Sequence, residues 1–150
     1  MGSLHAGRGV RRAVRTALDT NIISAIWSGS APAVQTAGTL ARAANEGALV
    51  ICAPVYVELR AYPNMTAEYL ERFLAHTRVE VDFLLDAPVW REAAQRFANY
   101  SHRRRKSGGG EAKRLLVDFI IGAHASLHAD RLFTLDPHRF TKDFPNLLLI

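Results

Sequence analysis

The sequence predicts an α/β fold, a three-layer sandwich around a mainly parallel central sheet. Three observations carry that expectation. Segments with strand character alternate with segments whose apolar residues recur at helical spacing. The run Ala48 to Cys52 is continuously apolar rather than alternating, the pattern of a parallel strand covered on both faces. No tight hairpin signal such as Asn-Gly or Asp-Gly joins any two strands.

Taken in order, Val14 to Leu18 is a short extended segment, and Asp19-Thr20-Asn21 offers capping side chains to a helix carrying Ile22, Ile23, Ile26 and Trp27. Pro32 suits a first helical turn, and Val34, Ala37, Leu40, Ala41 and Ala44 follow at helical spacing until Gly47. After the strand Ala48 to Cys52, Pro54 opens a helix that runs through Glu58 to about Tyr62, because Pro63 disfavours helical geometry in the residue before it. Thr66-Ala67-Glu68-Tyr69 caps a helix reaching His76 with Tyr69, Leu70, Phe73 and Leu74 on one stripe. Val79 to Phe83 is a strand, and Asp86 and Pro88 open a long amphipathic helix that ends near Arg103 to Lys106 and the joint Ser107-Gly108-Gly109-Gly110. Asp118 heads the next helix, followed by strand Arg131 to Leu135, a short connection, and a final apolar strand Asn146 to Ile150.

At 150 residues the chain fits one domain, expected as a flexible basic tail over 1–13 and one folded unit over 14–150. Apolar residues at 49% and charged residues at 22% are ordinary for a packed core. No apolar run approaches the ~20 residues of a membrane helix, so no membrane contact is expected. Met1 to Ala6 lacks the apolar core of a secretory signal, though the arginines before Asp19 leave an organelle-targeting peptide as an alternative. A single cysteine, Cys52, builds no disulfide framework and favours a reducing compartment such as the cytoplasm. The net charge of +5 is clustered in the tail and in Ser101 to Arg114, which suits a polyanionic partner or simply closes a helix with cations.

In open parallel sheets ligands bind outside the carboxyl ends of the strands. Asp19 and Asp136 stand just after strands, and Asp118 and Glu58 lie early in helices that begin near the same edge. Taken singly, Asp19 and Asp118 read as N-caps, Asp136-Pro137 as a turn and Glu58 as a solvated side chain. That reading does not explain the apolar framing of Asp19 and Asp118, which sets both acids beside a core. Such a cluster repels itself by about 3 kcal/mol per pair at ~6 Å and an effective dielectric near ~20. Mg²⁺ or Mn²⁺ would relieve that repulsion, since both prefer carboxylate oxygens.

The segments Leu18-Asp19-Thr20-Asn21-Ile22-Ile23, Val55-Tyr56-Val57-Glu58-Leu59, Asp118-Phe119-Ile120-Ile121-Gly122-Ala123 and Leu132-Phe133-Thr134-Leu135-Asp136 resemble, in the same order, the four acidic motifs of PIN-domain ribonucleases. The compact length looks like that of the VapC toxins of bacterial toxin–antitoxin pairs. The resemblance implies that Asp19, Glu58, Asp118 and Asp136 hold one or two Mg²⁺ or Mn²⁺ ions. It implies an RNA substrate and auxiliary polar roles for Asn21 and Thr134. It also implies a homodimer, and an antitoxin protein that buries the basic rim or plugs the acidic pocket. Gly122 stands where such proteins commonly have alanine, and Ala53-Pro54 where a hydroxyl residue is often found. Asp143 is the rival to Asp136 for the fourth acid, and Asp130, which precedes its strand, should face the opposite edge.

Two other functions compete: a non-catalytic module of the same fold that binds RNA or protein, and a Mg²⁺-dependent phosphatase with an Asp nucleophile after its first strand. Asn21 stands where a haloacid-dehalogenase signature needs a second Asp. Arg103, Arg104, Arg105, Lys106, Lys113 and Arg114 precede Asp118 and are expected to guide the RNA backbone. His124 and His128 lie about 240° and 280° around the helix from Asp118, away from the acids, as solvent-facing or capping residues. Cys52 reads as a small core hydrophobe.

Overall fold

The computed structural model describes residues 12–109 and 115–150. Four strands, β1 (Thr16–Leu18), β2 (Leu49–Cys52), β3 (Val79–Asp82) and β4 (Arg131–Phe133), form one sheet in the order β3-β2-β1-β4. Every pairing is parallel, with Thr16 opposite both Leu49 and Arg131. All four residues of β2 are buried, as its unbroken apolar run requires of a central strand. The final apolar segment contributes one parallel bridge, Leu132 to Leu149, and backbone bonds from Leu132 to Leu148 and between Leu132 or Thr134 and Ile150. The expected strand over Asn146 to Ile150 is thus reduced to its last residues.

Seven helices lie among the described residues. The helices α1 (Thr20–Ser28) and α2 (Ala33–Glu46) connect β1 to β2. Between β2 and β3 run α3 (Ala53–Arg60) and α4 (Ala67–Thr77), and between β3 and β4 run α5 (Ala87–Lys106) and α6 (Leu116–His128). The short α7 (His138–Thr141) follows β4. Right-handed crossovers place helices on a face set by the direction of travel along the sheet. The chain moves from β1 through β2 to β3, then reverses to β4, so α1 to α4 cover one face and α5 and α6 the other. The reversal makes the carboxyl ends of β1 and β4 a switch point, where such sheets bind ligands.

Local choices fit this frame. Asp19 accepts from the Thr20 N–H at 2.8 Å and caps α1, while Thr66 accepts from the Tyr69 N–H at 3.1 Å and caps α4. Gly47 ends α2 where its backbone passes against Val14, and a Cβ there would come within 2.1 Å of the Val14 carbonyl oxygen. Gly122 on α6 faces the Phe144 ring, which a Cβ would meet at 2.4 Å, so this chain fills with an aromatic ring the space that a side chain at 122 would need. Phe97 and Tyr100 of α5 pack on Phe119 of α6 at ring-centroid distances of 5.2 and 5.4 Å, joining the two helices.

Candidate active site

Asp19 leaves β1 as the cap of α1 with only 3% of its surface exposed. Both carboxylate oxygens are engaged: the Thr20 N–H donates to Oδ1, and the Thr134 hydroxyl donates to Oδ2 at 2.8 Å. Burial raises its pKa above the usual 3.8, the bonds from Thr134 and Thr20 oppose that rise, and the neighbouring Asp118 charge adds to it. Asp118 is not a cap. Leu115 caps α6, and Asp118 sits in the first turn, buried at 6%, where the helix N-terminus favours a negative charge. Glu58, on exposed surface of α3, accepts from the Thr20 hydroxyl at 2.8 Å.

These three acids line one cleft of about 200 Å³ together with Thr20, Asn21, Ser24, Leu115, Val117 and Arg139. Asp136 lies beside it rather than in its lining: its backbone N–H donates to the Thr134 hydroxyl at 3.0 Å, and its carboxylate takes the Arg139 Nε–H at 2.9 Å. Asn21 bridges the same corner, donating to the Thr134 hydroxyl at 3.5 Å and accepting from the Leu135 N–H at 3.2 Å. Asp143 is elsewhere, buried at 3% and ion-paired with Arg103. Asp130 faces the amino-terminal edge, where it takes bonds from the Arg15 N–H and the Arg12 guanidinium.

The basic run divides. Arg103 pairs with Asp143 and lies over the Tyr100 ring, and the Arg104 guanidinium donates to the Gly109 carbonyl, so both are half-buried in the fold. Arg105 and Lys106 are exposed. Lys113, Arg114 and the tail up to residue 11 lie outside the described residues. His124, expected at the surface or a cap, is buried at 1% and bonded to Asp82, while His128 stays exposed and meets Asp86 at 3.1 Å. Burial pushes the Cys52 thiol up to about 11, so at neutral pH it is a protonated core residue. Sequence reasoning did not single out Thr20, Ser24 or Arg139. The available signals were Thr20 next to a capping acid and the i,i+3 spacing of Asp136 and Arg139 across Pro137.

The donor chemistry fits a hard divalent cation of limited protein ligation. Among the described residues no three His, Cys, Asp or Glu side chains group closely enough to hold a metal ion between them. Two buried carboxylates facing an open cleft are what Mg²⁺ or Mn²⁺ needs, since Mg²⁺ commonly takes one or two carboxylates and keeps its remaining waters.

A family model described as the PIN domain matches residues 16–143. The chain belongs to the PIN domain family. Solved structures with this PIN fold include VapBC2 from Rickettsia felis bound to a DNA fragment from its promoter, at 23% identity and a TM-score of 0.58 over 91% of this chain and 97% of that one. VapBC-1 from nontypeable Haemophilus influenzae matches at 22% and 0.61, covering 91% and 96%. A toxin–antitoxin complex from Klebsiella pneumoniae matches at 22% and 0.58, covering 90% and 95%. At these identities the likeness is one of fold. No curated protein matches the chain. No helix among the described residues of this PIN domain is long and apolar enough to cross a membrane.

Proposed function

We propose that this PIN domain is a Mg²⁺- or Mn²⁺-dependent endoribonuclease acting as the toxin of a toxin–antitoxin pair. The observation that carries the reading is the meeting of Asp19, Asp118 and Glu58 in one cleft at the switch point of the sheet. In this reading Asp19 and Asp118 hold the cation, Glu58 completes the acidic wall under the Thr20 hydroxyl, and Asp136 stands at the rim. When bound, Mg²⁺ or Mn²⁺ supplies Lewis acidity at a phosphodiester and lowers the pKa of water. Thr134 holds Asp19 in one orientation, and Asn21 in turn holds Thr134, so the acid is fixed by its neighbours before substrate arrives. Arg105 and Lys106, with Lys113 and Arg114, would meet the RNA backbone.

Support for the toxin role comes from the structural neighbours, which are VapBC or toxin–antitoxin complexes. Leu84 at 93% and Val57 at 66% exposure, beside Phe83 and Trp90, form apolar surface of the kind that a second copy or an antitoxin covers. Against a phosphatase, Asn21 stands where a haloacid-dehalogenase signature needs a second Asp. Against a non-catalytic module, the acids of all four motifs are present.

The test is labelled RNA incubated with the purified chain and Mg²⁺ or Mn²⁺, with chelator, and with Asp19→Asn and Asp118→Asn. Cleavage should require both the metal and the acids. Cleavage that survives chelator and both substitutions overturns the mechanism, and turnover of small phosphate esters with inert RNA would select the phosphatase.

A further inference from the structure

The acidic cleft has a cation built into its wall. Among the described residues that line it, Arg139 is the one Lys or Arg. Its Nε lies 2.9 Å from Asp136 Oδ2, and one terminal nitrogen lies 3.7 Å from Asp118 Oδ1. The Arg139 side chain is 46% exposed and that of Asp118 only 8%, so the guanidinium reaches from the solvent side onto a buried carboxylate. Its backbone is equally fixed. Pro137 opens α7, the Arg139 N–H donates to the Asp136 carbonyl at 3.2 Å, and the next residue, Phe140, is fully buried.

A surface pair at i,i+3 spacing would by itself contribute little. The second contact, to a buried acid in the cleft, changes the consequence. Asp19 and Asp118 repel each other, and the Arg139 charge opposes this repulsion. A divalent ion near Asp118 would be repelled by the same guanidinium.

We propose that Arg139 is a positioning residue and internal counter-cation: it holds Asp118 and Asp136 in place before metal enters, and it competes with the divalent ion for Asp118, setting the metal concentration at which the cleft fills. This rests on the reading of the cleft as a divalent-cation site. Phe140, fully buried, anchors α7 beside Arg139.

The experiment is Mn²⁺ binding by titration calorimetry on the full chain, with unfolding temperature measured in chelator and in saturating Mn²⁺. R139Q and R139M remove the charge and R139K keeps it. Two neutral variants of different polarity guard against one failing to fold. Both neutral variants should bind Mn²⁺ roughly three- to tenfold tighter than the unsubstituted chain. R139K should stay within about twofold. The neutral variants should also unfold at lower temperature in chelator and recover in Mn²⁺. Unchanged or weaker Mn²⁺ binding by folded R139Q and R139M overturns the role of Arg139. No Mn²⁺ binding by any form, the unsubstituted chain included, instead overturns the metal reading beneath it.

Discussion

The Thr134 hydroxyl, at the end of the strand that follows the last long helix, donates at 2.8 Å to Oδ2 of Asp19, at the end of the first strand. The bond joins two segments 115 residues apart in sequence across the two strands that flank the switch point. It also opposes the rise that burial imposes on the Asp19 pKa.

Thr134→Val keeps the shape and deletes the donor. Burial already holds the Asp19 pKa above 3.8, and losing the bond from Thr134 removes the largest opposing influence, so the pKa climbs further. The acid limb of the pH–rate profile for RNA cleavage should move to higher pH. The rate at neutral pH should fall about 10- to 100-fold, as for other residues that orient a ligating carboxylate. An unmoved acid limb would show that Thr134 does not set the Asp19 charge.

The same shift makes a stability prediction. A carboxyl whose folded pKa is raised favours the fold fully below its unfolded value, near 3.8, and loses that contribution as pH rises through the raised folded value. In chelator, Asp19→Asn should therefore unfold at a higher temperature than the parent at pH 7. The gap should close as pH falls toward 3.8. A gap independent of pH would refute the assignment.

Arg103 was expected on the RNA path, but its guanidinium is committed to Asp143, whose side chain is 1% exposed. Arg103→Ala would strip a buried carboxylate of this ion pair, at a cost of about 3 kcal/mol. Arg105→Ala, at an exposed position, should leave stability within about 0.5 kcal/mol and weaken RNA binding in a salt-dependent way. Denaturant unfolding beside RNA titrations at two salt concentrations checks both. Equal stabilities for the two variants would count against the structural role of Arg103.

The parallel sheet was legible because a strand buried on both faces must be apolar without interruption, and Leu49 to Cys52 show that directly. Asp19 was legible because a lone acid between Ala17-Leu18 and Ile22-Ile23 marks a strand-to-helix junction. What stayed hidden had no local signature. Four residues of α7 are too few to show a helical period, so Arg139 passed for part of a connection. Asp143 and Arg103 are 40 residues apart, and nothing near either one announces the other. Asp118 looked like a cap because polar residues often are, yet the helix starts two residues earlier, at Leu116.

His124 shows how an angular argument can be right about a direction and still miss the environment. Its position around the helix keeps it away from the acids, but residues 118–125 of α6 are buried all round, so no face there is solvent. Its Nε2 lies 2.7 Å from Asp82 Oδ2, and since a carboxylate can only accept, that nitrogen carries the proton. Burial lowers the His124 pKa below 6.5, with Asp82 opposing and His128 and Arg15 adding to the fall. A histidine with a lowered folded pKa contributes stability that is present above its unfolded value, near 6.5, and is lost as pH falls through the folded value. The unfolding temperature should therefore drop as pH falls from 6.5 through the lowered folded value, and His124→Gln, which keeps a donor toward Asp82 but cannot titrate, should flatten that drop. Should the parent and His124→Gln decline in parallel, the acid sensitivity belongs to groups other than His124.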